Sequence, residues 1–337
     1  MPICTSCTHP TPFLYSVYNT ANNLRLEQCP ACHEFADPYV EHDTLTLLLD
    51  LILLKRDVFR HLLFNRGSGV RYLGVQSSRA GFPAPENDKH ALERTRQRTR
   101  WMHILKLGSV LVVVDAFIRW SHLSVSGPFD PSRVDLTTWN AKAVEGFLRM
   151  VIGCIVETVA FHSGVTLASY IVLTSLDWAR RKSILLSNGP TSGIRQAFRY
   201  SHIPLTLFYT SLTKLFLLFL LTIWRPASST SPDAVPIAPQ YNASNMFTNP
   251  VILNAIEILD EDKMDREWIV RNVLGGMAAG FGLRVVLDCP PAATTLIILT
   301  GWGVKTAVAN VVSGWVGGNV GLSEETVGAM WLAYSIP

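Results

Sequence analysis

Five apolar stretches, all lying after Arg100, limit this chain's folding options more than any other feature. They run over 102–120, 146–173, 204–224, 268–287 and 292–316, each near the ~20 residues a helix needs to cross a bilayer core. Lipid offers no partner to backbone N–H and C=O groups, so each stretch must be helical to satisfy its own. Charged residues make up only 16% of the chain, well under the ~25% usual in soluble proteins. The expectation is a multi-pass α-helical membrane protein carrying a small N-terminal β zinc ribbon. The second stretch is the weakest of the five, because it contains Glu157, His162 and Ser163. A re-entrant pair there would reverse the topology of everything after it.

The basic residues flank the apolar runs, and the net charge of +3 is too small to suggest nucleic acid. Arg94, Arg96, Arg98 and Arg100 abut the first run, which favours a cytosolic head. The next loop, 121–143, has Arg133 and Lys142, whereas the loop 177–202 has Arg180, Arg181, Lys182, Arg195 and Arg199. That alternation puts 121–143 in the lumen and 177–202 in the cytosol. The loop 225–267 is then lumenal, and it holds the sequon Asn242-Ala243-Ser244. The N-terminus shows no basic region followed by an apolar stretch, so no cleavable signal is expected.

Four of the six cysteines form two C-x-x-C pairs, Cys4/Cys7 and Cys29/Cys32, 21 residues apart. Each pair can aim two thiolates at one ion, and two pairs close a tetrahedron of structural zinc with no open position for catalysis. Residues 13–18 and 24–27 read as two short strands around the turn-rich 19–23. Alternatives are a redox pair, for which no surrounding βαβ unit is visible, and ligation by His9 or His33, which read as surface or supporting residues. The ribbon spans 1–36. Residues 37–66 read as an interfacial or packed helix capped by Asp43 or Thr44, and 67–100 as a flexible basic linker.

The paired cysteines, Pro30, the acidic Ala36-Asp37-Pro38-Tyr39-Val40-Glu41, then Asp50-Leu51-Ile52-Leu53 and Arg60-His61-Leu62-Leu63-Phe64-Asn65 together resemble the homology domain of the ARV family. The likeness covers about residues 3–66. It implies a non-enzymatic endoplasmic-reticulum protein, with the Golgi as a second location, acting in sterol distribution, sphingolipid metabolism and glycosylphosphatidylinositol anchor biosynthesis. The partners it implies are membrane lipids, namely sterol and anchor precursors, and a glycosyltransferase complex.

Ionisable residues inside lipid are costly and mark sites by default, so Asp115, Glu157, Lys214, Arg271, Arg284 and Lys305 are candidates for a headgroup site. Gly275, Gly276, Gly280, Gly282, Gly314, Gly317 and Gly318 are expected to let helices approach closely. Two other readings are a lipid-modifying enzyme, with Glu157 and His162 as a weak lead, and a membrane-anchored ubiquitin ligase. The ligase reading expects about eight zinc ligands where the head offers four cysteines.

Overall fold

The structure, a computed structural model, describes residues 2–18, 23–73, 86–126, 141–183, 193–223 and 269–317. The ribbon begins with β1 (Tyr15–Tyr18) and β2 (Leu24–Leu26), paired antiparallel with Ser16 opposite Arg25. A third strand, β3 (Val70–Leu73), pairs parallel to the other edge of β1, giving the order β2-β1-β3. It enters the sheet through Gly69, whose φ of +78° lies in the left-handed region and whose carbonyl accepts from Leu14 N at 2.7 Å.

Between β2 and β3 the chain makes a helical hairpin. Helix α1 (Thr44–Ile52) is capped by Asp43, whose carboxylate accepts from Thr46 N at 3.2 Å. Leu54 turns the chain in a left-handed conformation, and Lys55 closes the turn on Asp50 at 2.7 Å. Helix α2 (Arg56–Arg60) then returns and runs into a wide π-type turn, His61–Asn65.

Among the described residues five helices have the length and apolarity to cross a membrane, within α3 (Glu86–Ser126), α4 (Ala141–Ser183), α6 (His202–Ile223), α7 (Gly275–Leu287) and α8 (Pro291–Gly317). Short α5 (Gly193–Ala197) precedes α6, and a second π-type turn, Ile269–Leu274, leads into α7. Helix α4 is one unbroken rod of 43 residues, about 60 Å long at 1.5 Å per residue. The doubtful second stretch is therefore a single helix and not a re-entrant pair. Asp288 ends α7 with a left-handed φ of +49°, and α8 starts three residues later at Pro291, so the two pack as an antiparallel pair.

The bundle is apolar outside and charged inside. Val311 is 82% exposed and Val159 61%, whereas Glu157 is 1% exposed. Water would impose the opposite arrangement, and lipid imposes this one.

Residues 67–100 differ from the flexible linker expected of them. Val70–Leu73 belong to the ribbon sheet, and Glu86–Arg100 are the leading turns of α3. From Glu86 to Arg100 no Gly or Pro interrupts, so the helix nucleated by the apolar span propagates outward through the arginines.

Nor is the head a separate unit. Phe59, Leu63 and Phe64 share one apolar core with Leu205 and Phe208 of α6 and Val285 and Val286 of α7. Phe59 meets Phe281 edge-on at 6.3 Å, and Thr213 Oγ1 of α6 donates to the Ile52 carbonyl at the end of α1. Leu45, Leu48, Leu49 and Leu53 of the hairpin stay exposed on its outer side. Helix α1 thus packs on the bundle with one face and presents leucines with the other.

Candidate functional site

The first site is the cysteine cluster. Within each pair's turn the backbone repeats the same geometry. Thr8 N donates to Cys4 O at 3.0 Å and His33 N to Cys29 O at 2.9 Å, while Cys4 N and Cys29 N donate to His9 O and Glu34 O. Thr8 and His33 both take the left-handed conformation, with φ of 66° and 61°. His33 is thus a turn position and His9 a carbonyl acceptor; the candidate ligand atoms are the four sulfurs.

Those sulfurs lie within 4.8 Å of one another, with Cys4–Cys32 at 3.7 Å and Cys7–Cys29 at 3.6 Å. A tetrahedron of sulfurs ~2.3 Å from a central ion has edges of about 3.8 Å, so the cage has the right size for one metal ion. A disulfide would need a sulfur separation near 2 Å, and all four thiols are free. Burial pushes the Cys4 thiol up to about 12. For Cys29, burial is outweighed by main-chain N–H groups of Cys32 and Ala31 and by the neighbouring thiols, which bring it down to about 7. Cys154 and Cys289 are buried elsewhere in the bundle.

A polar network seats this cage on the helical hairpin. Asn65 Oδ1 accepts from Ile3 N at 2.9 Å, and its Nδ2 donates to Ile3 O and to Asp37 Oδ2, both at 2.8 Å. Asp37 is fully buried and also accepts from His61 Nδ1 at 2.7 Å and Tyr39 N at 3.1 Å. Arg60 donates to the carbonyls of Thr5 and Ser6 in the first cysteine turn. Tyr39 Oη donates to Asp50 at 2.9 Å. The motif residues Asp37, Asp50, Arg60, His61 and Asn65 are therefore the clamp between ribbon and hairpin. Gly193 of α5 lies against the same cysteine turn; a Cβ there would sit 2.2 Å from Thr8 O. The described end of that connection, from Gly193 on, and the ribbon accordingly occupy the same end of the bundle.

The second site is a cavity of about 160 Å³ lined by α3, α4, α6, the π-type turn with α7, and α8. Asp115, Glu157, Lys214, Arg271 and Lys305 all line it. Arg119 NH2 pairs with Asp115 at 2.9 Å and NH1 with Glu157 at 3.0 Å, and Arg271 approaches Asp115 at 3.7 Å. Arg119 was not among the residues expected here, although its i,i+4 spacing from Asp115 is a usable signal in the sequence. Arg284 does not join; it is exposed on α7. Glu157 and His162 are not a catalytic couple, since Glu157 is committed to Arg119 and His162 Nδ1 to the Thr158 carbonyl at 2.8 Å.

Small residues bring the walls together. A Cβ on Gly276 would meet Trp302 at 2.3 Å, and one on Gly282 would meet Thr210 at 2.5 Å. Gly280 differs from expectation, with nothing within 4 Å of its added Cβ. Gly314 and Gly317 fall in the last turn of α8, while Gly318, Arg133 and Asn242 with its loop lie outside the described residues.

The Arv1-like family model matches residues 3–243, more than half of the chain. The chain belongs to the Arv1-like family. It is similar to an arv1 protein of Schizosaccharomyces pombe, 24% identical over 193 residues, which are 56% of this chain and 60% of that one. An ARV1 protein of Saccharomyces cerevisiae is 46% identical over 63 residues, 19% of each chain, and a human one 36% over 62 residues, 18% of this chain and 22% of that. The matched regions thus span 60% or less of each of these Arv1 relatives. No solved structure matches.

Proposed function

We propose that this Arv1-like chain is a non-enzymatic protein of the endoplasmic-reticulum membrane, with the Golgi as a second location. It mediates or regulates intracellular sterol distribution, sphingolipid metabolism and glycosylphosphatidylinositol anchor biosynthesis, as a lipid carrier or as an accessory subunit of a glycosyltransferase complex. The observation that carries the reading is the inside-out bundle, an apolar outer surface around a cavity lined by charged side chains, joined through one core to the cysteine head. Such a protein can meet a lipid's chains on its outer surface and its polar end inside.

The head holds structural zinc in this reading. Four thiolates at tetrahedral spacing match zinc's ligand preference and leave no position for a substrate water. A cytosolic head is supported by Arg195 within α5 and Arg199 just after it, since α5 lies against the cysteine turn.

The test is purification of the full chain in mild detergent, followed by metal analysis and mass spectrometry of co-purifying lipids and proteins. The expected result is one zinc per chain with sterol, an anchor precursor or glycosyltransferase subunits bound. Two zincs per chain, or turnover of a defined lipid by the purified chain alone, would overturn the proposal.

A further inference from the structure

The charges lining the cavity do not balance. Four cationic side chains, Arg119, Lys214, Arg271 and Lys305, face two carboxylates, Asp115 and Glu157, an excess of two positive charges. The carboxylates are engaged by the arginines, Glu157 by Arg119 and Asp115 by both. Lys214 from α6 and Lys305 from α8 make no ion pair or hydrogen bond among the described residues. Arginine keeps its charge in any protein setting, so the arginines and carboxylates stay matched and the lysines are left over. An ammonium group in a lipid-surrounded interior is costly unless an anion meets it.

His162 adds a second observation. Its Nδ1 donates to the Thr158 carbonyl, so in the neutral ring Nε2 is an acceptor. That buried Nε2 has no hydrogen-bond partner among the described residues, and His162 lines the same cavity. The cavity therefore offers two cations for an anion and one acceptor for an adjoining hydroxyl. At about 160 Å³ it is well below the roughly 300–1,000 Å³ of pockets that hold a whole drug-sized ligand. That suits a phosphate and a small part of its substituent, and excludes a whole lipid.

We propose that Lys214 and Lys305 bind a phosphate group within the helical bundle, with His162 Nε2 accepting from a hydroxyl beside it. The phosphate belongs to a lipid headgroup, whose chains stay outside in the bilayer, or to free phosphate. The lipid form rests on the lipid-handling reading above.

The full chain in neutral detergent is titrated with short-chain phosphatidic acid, with the matching diacylglycerol and with inorganic phosphate, while its melting temperature is followed. Phosphatidic acid should raise the melting temperature and diacylglycerol should not. The double variant Lys214→Met/Lys305→Met should weaken phosphatidic acid at least tenfold, and Arg284→Gln should bind as the parent does. If inorganic phosphate has no effect, the source is the lipid headgroup. If it stabilises alone and competes, the source is free phosphate, and the site stands. An equal effect of diacylglycerol, or an unchanged affinity in the double variant, overturns the site. Should that variant not fold, a photoreactive phosphatidic acid on the unaltered chain decides. Cross-links in the peptides of α6 and α8 support the site, and cross-links confined to the head overturn it. Diacylglycerol binding as tightly would remove the phosphate site and leave the lipid-handling reading intact; no effect of either lipid counts against that reading, and no effect of inorganic phosphate as well overturns the site.

Discussion

Replacing Asn65 by alanine should loosen the cysteine head from its hairpin without touching a metal ligand. Asn65 is 2% exposed, and its amide satisfies both main-chain groups of Ile3 and one oxygen of Asp37. Alanine removes three hydrogen bonds and leaves the buried Ile3 N–H and C=O without other partners among the described residues. A buried polar group left unsatisfied costs about 1–3 kcal/mol, so two such groups place the loss at about 2–6 kcal/mol, centred near 4. At about 1.4 kcal/mol per factor of ten, the central value makes local opening roughly 10³ times more frequent. Hydrogen exchange by mass spectrometry on the peptide covering residues 2–12 reads this directly, in zinc-supplemented buffer at constant pH. Protection there should fall by at least about a hundredfold, while peptides of α8 keep theirs. If exchange at Ile3 stays within threefold of the parent, the clamp does not hold the ribbon and the reading of the motif residues is wrong.

Two further outcomes are expected. The Lys55 ammonium beside Asp50 holds that carboxyl below its usual range, with Tyr39 adding a hydrogen bond. A folded-state value below the unfolded one gives stability that is complete above the unfolded pKa, about 3.9, and is lost as pH falls through the folded value. Hairpin protection measured by exchange should therefore hold at pH 5 and decline below about pH 4, and Asp50→Asn should flatten that decline. Arg119→Leu removes the guanidinium that pairs with Asp115 and Glu157 inside the bundle, and breaking a buried pair typically costs about 3–5 kcal/mol. Its thermal aggregation point in detergent should drop sharply, and Glu157→Gln added to it should recover part of the loss; no recovery would mean the two side chains are not energetically coupled.

Some of this was written locally in the chain. Two C-x-x-C pairs mark four candidate ligands because each turn closes within five residues, and that geometry travels with the sequence. The five spans were legible because length and apolarity over 20 residues decide membrane crossing whatever the neighbours do. Asp43 as a cap follows from its place before a leucine run, with its bond to Thr46 made inside one turn.

Only the tertiary structure decided what those elements do together. The parallel strand Val70–Leu73 finds a partner more than 50 residues away, and no local period announces it. The two π-type turns aim His61 and Asn65 at the ribbon and Arg271 and Asn272 into the bundle, a rotation that hydropathy does not encode. The sequence by itself named Asp115, Glu157, Lys214, Arg271 and Lys305 as expensive residues in lipid, because the cost of a charge there depends on the solvent alone. That they converge on one cavity, that Arg119 ties two of them together and that Arg284 stands apart depend on how each helix is rotated against its neighbours. Packing across the whole bundle sets that rotation, which is why it could be found only in the assembled fold.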